Sequence, residues 1–305
     1  MRAEDILKEA GFTGEARLAE PMSRHTSLGI GGPAEVMAFP EGVDELGRIV
    51  SLASKDGADV FFLGGGTNLL VLDGGIKGLV INMGKLDWID VEHGQAGTSV
   101  VHAGAGVKLG RLVNYCSDNG LSGLEFAAGI PGTVGGAVAM NAGTQEAEMK
   151  DVLASVTLVG RDGKLDKVRP SELQMAYRRS EIPSGSVVAE ASIALIPWPN
   201  EEVKEKVAAN IRRRKATQPA KVRSAGSTFK NPPGYSAWKL IDMAGLRGSM
   251  IGQAQVSRMH TNFLINLGGA TARDFMALMT LVVDTVQEKL NITLEPEIRI
   301  VGVEG

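Results

Sequence analysis

Three short segments carry a serine, an arginine and a glutamate, the side chains from which a proton-transfer site can be built. Ser227 follows a glycine in AGSTFKNP, Arg178 lies in MAYRRSEIP, and Glu297 lies in EPEIR. A serine in that setting closes a turn, holds a phosphate or moves a proton, and the turn is the commonest of these roles. Arg178 offers a fixed charge for an anion or a surface ion pair, and Arg179 beside it leaves that choice open.

The segment around Glu297 alternates in polarity near the end of the chain. In a strand over EPEIRIVG, Glu295, Glu297 and Arg299 share one face, while Ile298 and Ile300 lie on the other. Three charged side chains on one strand face usually contact solvent. The pattern alone therefore indicates a solvated face.

Two glycine-rich loops supply backbone that can approach a ligand closely: LGGGTNLLV at 63–71 and AAGIPGTVGGAVAMNAG at 127–143. The first follows the apolar segment DVFFL and offers consecutive amides from Gly64 to Asn68. Such amides form an anion nest, which would fit a pyrophosphate. A single loop of this kind is often a surface turn, but two in one region favour a bound ligand.

The loops match neither standard nucleotide-binding pattern. Neither contains the lysine followed by serine or threonine that the Walker pattern requires. Gly104, Gly106 and Gly110 come nearest to a dinucleotide fingerprint, but their last spacing is one residue too long. A nucleotide or flavin ligand would therefore need another fold.

The bulk composition is that of a globular protein. Its 305 residues suggest two or three domains, and the 39 glycines favour a flavin or nucleotide cofactor. The net charge of −3 argues against nucleic acid as a partner. Because the start MRAEDILKEAGF is charged and no apolar run approaches the ~18 residues of a membrane span, we expect a cytoplasmic protein without membrane contact.

Cysteine and histidine usage limits the chemistry. Cys116 is the only cysteine, so no intrachain disulfide is expected, and its helical surroundings favour a core position over a nucleophile. The four histidines lack metal-like spacing and stand at positions 25, 93, 102 and 260. We therefore expect no metal.

Alternating and helical patterns predict the elements that position these segments. Helices are expected over VDELGRIVSLASKDG, over VKLGRLVNYCSDNG with Gly120 as its terminating glycine, after an N-cap at Asn200, and after a capping box of Thr271 and Asp274. RDGK at 161–164 predicts a hairpin turn. Strands are expected over AEVMAF, DVFFLG, WIDVE, SVVHAG, SVTLVG, VVAEASIAL and the final EPEIRIVG, which should rejoin an earlier sheet.

Six motifs follow one another across nearly the whole chain: TSLGIGGPA at 26–34, the GGGTN loop, GIPGTVGGAVAMNAG, AYR at 176–178, GSTFKNP at 226–232 and EPEIR at 295–299. In this order they resemble the UDP-N-acetylenolpyruvoylglucosamine reductase family. The resemblance implies non-covalent FAD, NADPH as hydride donor, and reduction of UDP-N-acetylglucosamine enolpyruvate to UDP-N-acetylmuramate for peptidoglycan.

The resemblance also implies an α+β fold: an FAD-binding fold of the vanillyl-alcohol-oxidase (PCMH) type with a separate C-terminal α+β substrate domain. A first FAD-binding part would cover 1–58 and include the C-terminal strand 292–305. A second would cover 59–198. The sequence pattern itself predicts a boundary at Pro197 to Glu201, where the stretch IPWPNE precedes a helical pattern. The substrate domain would cover 199–291.

The resemblance assigns cofactor-binding residues in both loops. The pyrophosphate region of FAD would contact Gly64, Gly65, Gly66, Thr67, Asn68 and Leu69. The isoalloxazine and ribityl side would contact Gly129, Ile130, Pro131, Gly132, Thr133, Gly135 and Gly136.

Three catalytic residues follow from the same resemblance. Arg178, the arginine of the Tyr-Arg motif, would pair with the substrate carboxylate. A buried, protonated Glu297 would donate a hydrogen bond at the enol, and Glu295 would have no such role. Ser227 would deliver the proton to the carbon that bears the carboxylate.

Substrate-binding residues are implied as well: Tyr177, Lys230 and Asn231, with Lys215 reaching the diphosphate. Lys215 ends the run RRRK at 212–215, which otherwise is typical of a solvated helix end. Arg178 and Ser227 are 49 residues apart (227 − 178), too close for the lid segment with a tyrosine that one branch of the family inserts there. The chain therefore resembles the shorter branch.

Two other functions are compatible with the glycine loops alone. The chain could be another flavoprotein of the same fold, such as an alcohol or sugar oxidase, or a non-enzymatic nucleotide-binding protein. The motifs around Arg178, Ser227 and Glu297 favour the reductase over both. We expect a monomer that acts on small molecules.

Overall fold

The computed structural model describes residues 1–94 and 97–305, which form an α+β protein. The α-helices of these residues are α1 Ala3–Glu9, α2 Val43–Asp56, α3 Leu109–Asp118, α4 Val134–Ala139, α5 Asn200–Thr217, α6 Ala237–Met243 and α7 Ala272–Leu290. The strands are β1 Glu15–Pro21, β2 Pro33–Phe39, β3 Val60–Leu63, β4 Leu69–Val71, β5 Ile76–Asn82, β6 Ile89–His93, β7 Ser99–Gly104, β8 Leu121–Ser122, β9 Leu153–Val159, β10 Leu165–Val168, β11 Val187–Pro197, β12 Arg223–Ser224, β13 Met250–Ile251, β14 Ala254–Val256, β15 Leu264–Asn266 and β16 Arg299–Val301.

The chain divides into two compact units, each assembled from distant segments. The first unit consists of Met1–Leu18, Val36–Gly65 and Gly78–Arg214, and the second of Ala19–Glu35, Gly66–Lys77 and Lys215–Gly305. The last cut falls within α5, C-terminal to the boundary expected from the sequence. The three-part domain division stays a prediction.

Antiparallel strands dominate the first unit. Its larger sheet has the order β10-β9-β11-β7-β6, with β8 beside β11, and a four-stranded sheet of order β1-β2-β5-β3 lies mostly in this unit. The predicted hairpin joins β9 to β10, where Gly163 has φ +78° and the Gly160 amide donates to the Lys164 carbonyl at 2.8 Å. Helix α3 ends before Gly120, whose φ of +62° fits the predicted terminating glycine.

In the first unit, the core position expected for Cys116 is confirmed, whereas the N-cap role expected for Asn200 is not. Cys116 is 1% exposed, and burial raises the pKa of its thiol to about 12, so it stays protonated. Asn200 is the first residue of α5 rather than its cap. Its side-chain amide donates to the Asp118 carbonyl at 2.9 Å and so holds the end of α3.

The second unit packs α6 and α7 on a sheet of order β12-β15-β14-β13. The capping box is confirmed, since the Asp274 amide donates to Thr271 Oγ1 at 3.0 Å and the Thr271 amide donates to Asp274 Oδ2 at 3.1 Å. Helix α7 buries apolar side chains that recur at helical spacing, at Phe275, Leu278, Met279, Val282 and Val286. No helix among residues 1–94 and 97–305 is long and apolar enough to cross a membrane.

The C-terminal strand is shorter than expected, because its segment changes partner. Residues 295–297 pair with 228–230, around an antiparallel bridge between Phe229 and Pro296. Residues 299–301 then form β16, parallel to β4. Pro296 has no amide hydrogen and so limits the ladder. The segment was predicted to rejoin an earlier sheet; β16 does pair with the earlier strand β4, but the two form a separate two-stranded sheet.

Candidate active site

Two glycine loops of the first unit approach each other closely. A β-carbon on Gly65 would lie 2.9 Å from the Cα of Gly132, and one on Gly64 would lie 2.6 Å from Thr133 Oγ1. A side chain at Gly65 would meet backbone and force the loops apart, whereas one at Gly64 would displace the Thr133 hydroxyl, so glycine permits the approach. The structure thus brings together residues that the sequence predicted to hold one cofactor.

The hydroxyl of Thr133 shows that this region fits a polar ligand. It is buried, and among the described residues it has no hydrogen-bond partner. Leaving such a group unpaired costs ~1–3 kcal/mol, which a ligand atom can recover. Thr133 directly precedes α4, which contains Gly135 and Gly136, while Ile130 is half-buried. The residues present therefore fit FAD, held by the loop backbone and by the Thr133 hydroxyl.

Arg178 lies on a tight turn of the first unit. Ala176 and Arg179 exchange both backbone hydrogen bonds, at 2.9 and 3.0 Å. Arg178 between them has φ +56°, a left-handed conformation that costs a non-glycine residue ~1–2 kcal/mol. Its Nη2 donates to the Gly143 carbonyl at 3.2 Å, and its guanidinium carbon lies 4.9 Å from the centre of the Tyr177 ring. Tyr177 is exposed at this turn.

A second arginine, Arg214, was missed in the sequence because it belongs to the run RRRK. Burial lowers the pKa of its guanidinium, and the positive charges of Arg178 and Arg213 lower it further. Its side chain also contacts the glycine loop, since a β-carbon on Gly129 would lie 3.0 Å from Arg214 Cδ. The first unit therefore concentrates positive charge beside this loop, which favours an anionic ligand.

The GGGTN loop continues into the second unit, where it holds the glutamate segment. Gly66 has φ +59°, and a β-carbon there would lie 1.9 Å from the His25 carbonyl oxygen. Asn68 Nδ2 donates to the Glu297 carbonyl at 3.1 Å, and the Arg299 amide donates to the Asn68 carbonyl at 3.0 Å. Asn68, predicted as a cofactor residue, thus also fixes the backbone at Glu297, while Thr67 precedes it and Leu69 begins β4.

The serine segment is held on both sides within the second unit. On one side the Glu297 amide donates to the Thr228 carbonyl at 2.8 Å. On the other, the side chain of the buried Asn262 accepts from the Phe229 amide at 2.9 Å and donates to the Phe229 carbonyl at 2.8 Å. Ser227 stands directly before this clamped backbone. Asn262, in SRMHTNF, gave no sequence signal, because its partner lies 33 residues away.

The two glutamates of EPEIR differ in exposure. Glu295 is exposed, and its carboxylate lies 3.3 Å from Lys230 Nζ. Glu297 is half-buried, and its backbone pairs with Thr228 next to Ser227. The structure therefore brings the serine and Glu297 segments together, while Glu295 forms a surface ion pair.

The other predicted substrate residues lie at or near the surface. Lys230 is half-exposed in its ion pair, and Lys215 is exposed on α5. The carboxamide oxygen of Asn231 accepts from the Ala237 amide at 2.9 Å, at the start of α6. The side-chain nitrogen of Asn231 is therefore the atom that would donate to a substrate. Among the described residues, no group of three or more His, Cys, Asp or Glu side chains could hold a metal ion.

His260 is a partly buried histidine two residues before Asn262, the side chain that holds the serine segment. Its ring contacts Phe263 edge-on, with centroids 4.9 Å apart, and its Nδ1 has no hydrogen-bond partner in the described chain. Burial lowers its pKa, so the neutral ring is favoured. The neutral form suits its aromatic surroundings.

Known families match most of the chain. The profile described as "UDP-N-acetylenolpyruvoylglucosamine reductase, C-terminal domain" matches residues 218–301, and that of an FAD binding domain matches 34–169. The UDP-N-acetylenolpyruvoylglucosamine reductase of Desulfosudis oleivorans is 46% identical over 301 residues, which cover 95% of this chain and 96% of that one. The enzyme of the same name from Geobacter metallireducens is 43% identical over 295 residues, 97% of each chain.

Solved structures agree with this assignment. The UDP-N-acetylenolpyruvylglucosamine reductase of Thermus caldophilus superposes with a TM-score of 0.80 at 40% identity, covering 94% of this chain and 98% of that one. A BBE-like 1 variant from Physcomitrella patens, at 14% identity and a TM-score of 0.50, shares the fold alone. The expected FAD-binding fold of the PCMH type with a C-terminal α+β domain is confirmed. The chain belongs to the UDP-N-acetylenolpyruvoylglucosamine reductase family.

Proposed function

We propose that this chain reduces UDP-N-acetylglucosamine enolpyruvate to UDP-N-acetylmuramate for peptidoglycan, using FAD and NADPH, with Arg178, Ser227 and Glu297 at the reacting group. Membership of the family supports the reaction. The pairing of residues 228–230 with 295–297 supports the residue roles, because it holds the serine and glutamate segments side by side.

The reaction adds a hydride to the terminal carbon of the enolpyruvyl ether and a proton to the carbon that bears the carboxylate. FAD reduced by NADPH supplies the hydride when bound, since protein side chains cannot. Ser227 delivers the proton from its hydroxyl. Because a serine is a weak acid, it must contact a strongly basic carbon, and its proton must then be replaced from water or a neighbour.

Positive charge and a hydrogen-bond donor stabilise the electron density that builds up on the substrate. Arg178 pairs with the carboxylate, and the Arg214 charge beside it strengthens the positive field there. Glu297, in its protonated form, donates a hydrogen bond to the enol oxygen. Each group acts where negative charge increases during the reaction, so each lowers the barrier.

The sugar nucleotide contacts polar residues near the surface. Lys230 leaves its exposed ion pair with Glu295 to bind a phosphate, at little cost because such pairs contribute little to stability. Asn231, Tyr177 and Lys215 complete this set. The enzyme acts in the cytoplasm as a monomer of the shorter branch, without a tyrosine lid, and binds neither nucleic acid nor membrane.

An anaerobic experiment tests the function. The purified protein should be yellow and release its flavin in acid. Under argon, NADPH should bleach the flavin absorbance, and UDP-N-acetylglucosamine enolpyruvate added next should restore the oxidised spectrum. A flavin that stays reduced after this addition would refute the proposed substrate, and colourless protein that takes up no FAD would refute the whole assignment.

A further inference from the structure

Asn141 is a buried asparagine at the end of the second glycine motif with no assigned role. It is fully buried and has φ +42°, in the left-handed region. Its side-chain oxygen accepts from the Lys150 amide at 3.0 Å. Its Nδ2 donates to Glu148 Oε2 at 2.8 Å and to the Ala176 carbonyl at 3.0 Å. Every polar atom of the side chain is thus used.

The bond to Ala176 places Asn141 directly on the turn that carries Arg178. The same carbonyl closes the turn by accepting from the Arg179 amide. A carbonyl oxygen has two lone pairs, so both bonds form at once. The Asn141 side chain therefore fixes the turn from the side of the glycine motif.

Two further bonds connect the same segments. Ser180 Oγ donates to the Val138 carbonyl in α4, and Arg178 Nη2 donates to the Gly143 carbonyl, two residues beyond Asn141. Residues 138–143 thus contact both ends of the turn and the guanidinium. Because Arg178 has a left-handed backbone, its conformation persists only where surrounding contacts hold it.

We propose that Asn141 is a positioning residue that fixes the Arg178 turn against the glycine motif and so places the guanidinium at the substrate carboxylate. The proposal rests on the carboxylate-binding role proposed for Arg178. Asparagine suits the position twice, since it tolerates the left-handed backbone and its amide supplies two donors.

Asn141→Asp tests the proposal with little change in size. Aspartate keeps the tolerance for positive φ but presents a carboxylate to Glu148 and to the Ala176 carbonyl, and Lys150 and Asp151 are the other charged groups beside it. We expect the dissociation constant of the enolpyruvyl substrate to rise about tenfold, the loss of roughly one hydrogen bond. FAD content and flavin reduction by NADPH should stay within about twofold. Asn119→Asp is the control for the same substitution at an exposed site, because Asn119 Nδ2 also donates to a carbonyl, that of Tyr115, at 2.8 Å.

A double-mutant cycle with Arg178→Ala separates positioning from general destabilisation. If Asn141 acts through Arg178, Asn141→Asp should not weaken substrate binding further in the Arg178→Ala background. The proposal would be overturned if the loss of substrate affinity in the double variant equalled the product of the losses in the two single variants. Equal losses of FAD and substrate affinity in Asn141→Asp would overturn it as well. If Asn141→Asp does not fold, Asn141→Gly, which keeps the positive φ and removes the amide without burying a charge, takes its place in the same cycle with the same expected result. Unchanged substrate affinity in Arg178→Ala alone would instead refute the role of Arg178.

Discussion

The two units hold their candidate catalytic residues in different ways. In the second unit, backbone pairing on one side and the Asn262 clamp on the other fix the serine segment. In the first unit, Arg178 lies on a left-handed turn that side chains hold. Proton transfer requires contact at hydrogen-bond distance, whereas the attraction between charges falls only gradually with distance. The serine segment is therefore held by pairing with a distant strand segment, whereas the Arg178 turn is closed by its own backbone bonds and held by side chains around it.

Ser227→Ala should give the largest effect, because only the second half-reaction needs the serine proton. We expect flavin reoxidation by the enolpyruvyl substrate to slow by about 10²–10⁴-fold, the usual contribution of a general acid. Flavin reduction by NADPH should be unchanged. Stopped-flow absorbance measures both halves separately.

The control for this variant is Ser224→Ala, three residues earlier. Ser224 contributes its backbone carbonyl, which accepts from Ser27 Oγ at 2.7 Å, so loss of its own hydroxyl should leave both rates unchanged. Equal slowing of both half-reactions in Ser227→Ala would contradict the proton-donor role.

Asn262→Ala removes the clamp on one side of the serine segment. The Phe229 amide and carbonyl would lose their buried partner, so we expect the free energy of unfolding to fall by about 2–4 kcal/mol. Urea titration measures the loss. Asn210→Ala, which removes one bond to the Glu125 carbonyl, should cost only about 1 kcal/mol. Similar losses in both variants would mean that the backbone pairing alone holds the serine.

Gly65→Ala tests the contact between the loops of the first unit. The new β-carbon would lie 2.9 Å from the Gly132 Cα, so the loops must separate, and we expect the dissociation constant of FAD to rise at least about tenfold. Titration of the apoprotein with FAD measures it. Gly110→Ala in α3 has open space and should stabilise the protein by about 0.5 kcal/mol without affecting FAD. Unchanged FAD affinity in Gly65→Ala would place the cofactor elsewhere.

Much of the fold could be predicted from the sequence because its signals are local. The capping box of Thr271 and Asp274, the glycine after α3 and the hairpin turn at 161–164 each occupy a few adjacent residues. EPEIRIVG is an exception, because its alternation predicted one strand. Its residues divide between two partners, and alternation does not reveal which partner a strand has.

The supports of the site could not be predicted, because they are side-chain bonds to distant backbone. Asn262 contacts residue 229, Asn68 contacts residue 297 and Asn141 contacts residue 176. An asparagine that binds backbone far along the chain has no periodicity and no fixed spacing. Arg214 was hidden for another reason, since a run of basic residues at a helix end is usually solvated.

His260→Phe should give the smallest effect and tests whether the clamp region depends on a neutral ring. Burial lowers the pKa of His260 in the folded state, so below about pH 6.5 the unfolded chain binds a proton that the folded chain does not. Stability therefore falls as pH decreases from about 6.5 to the lower folded-state pKa. Phenylalanine keeps the contact with Phe263 but does not titrate, so the difference between the two proteins measures the contribution of His260. The urea midpoint should thus fall less between pH 7.5 and 5.5 in the variant, and an equal fall would show that His260 contributes no pH dependence to the second unit.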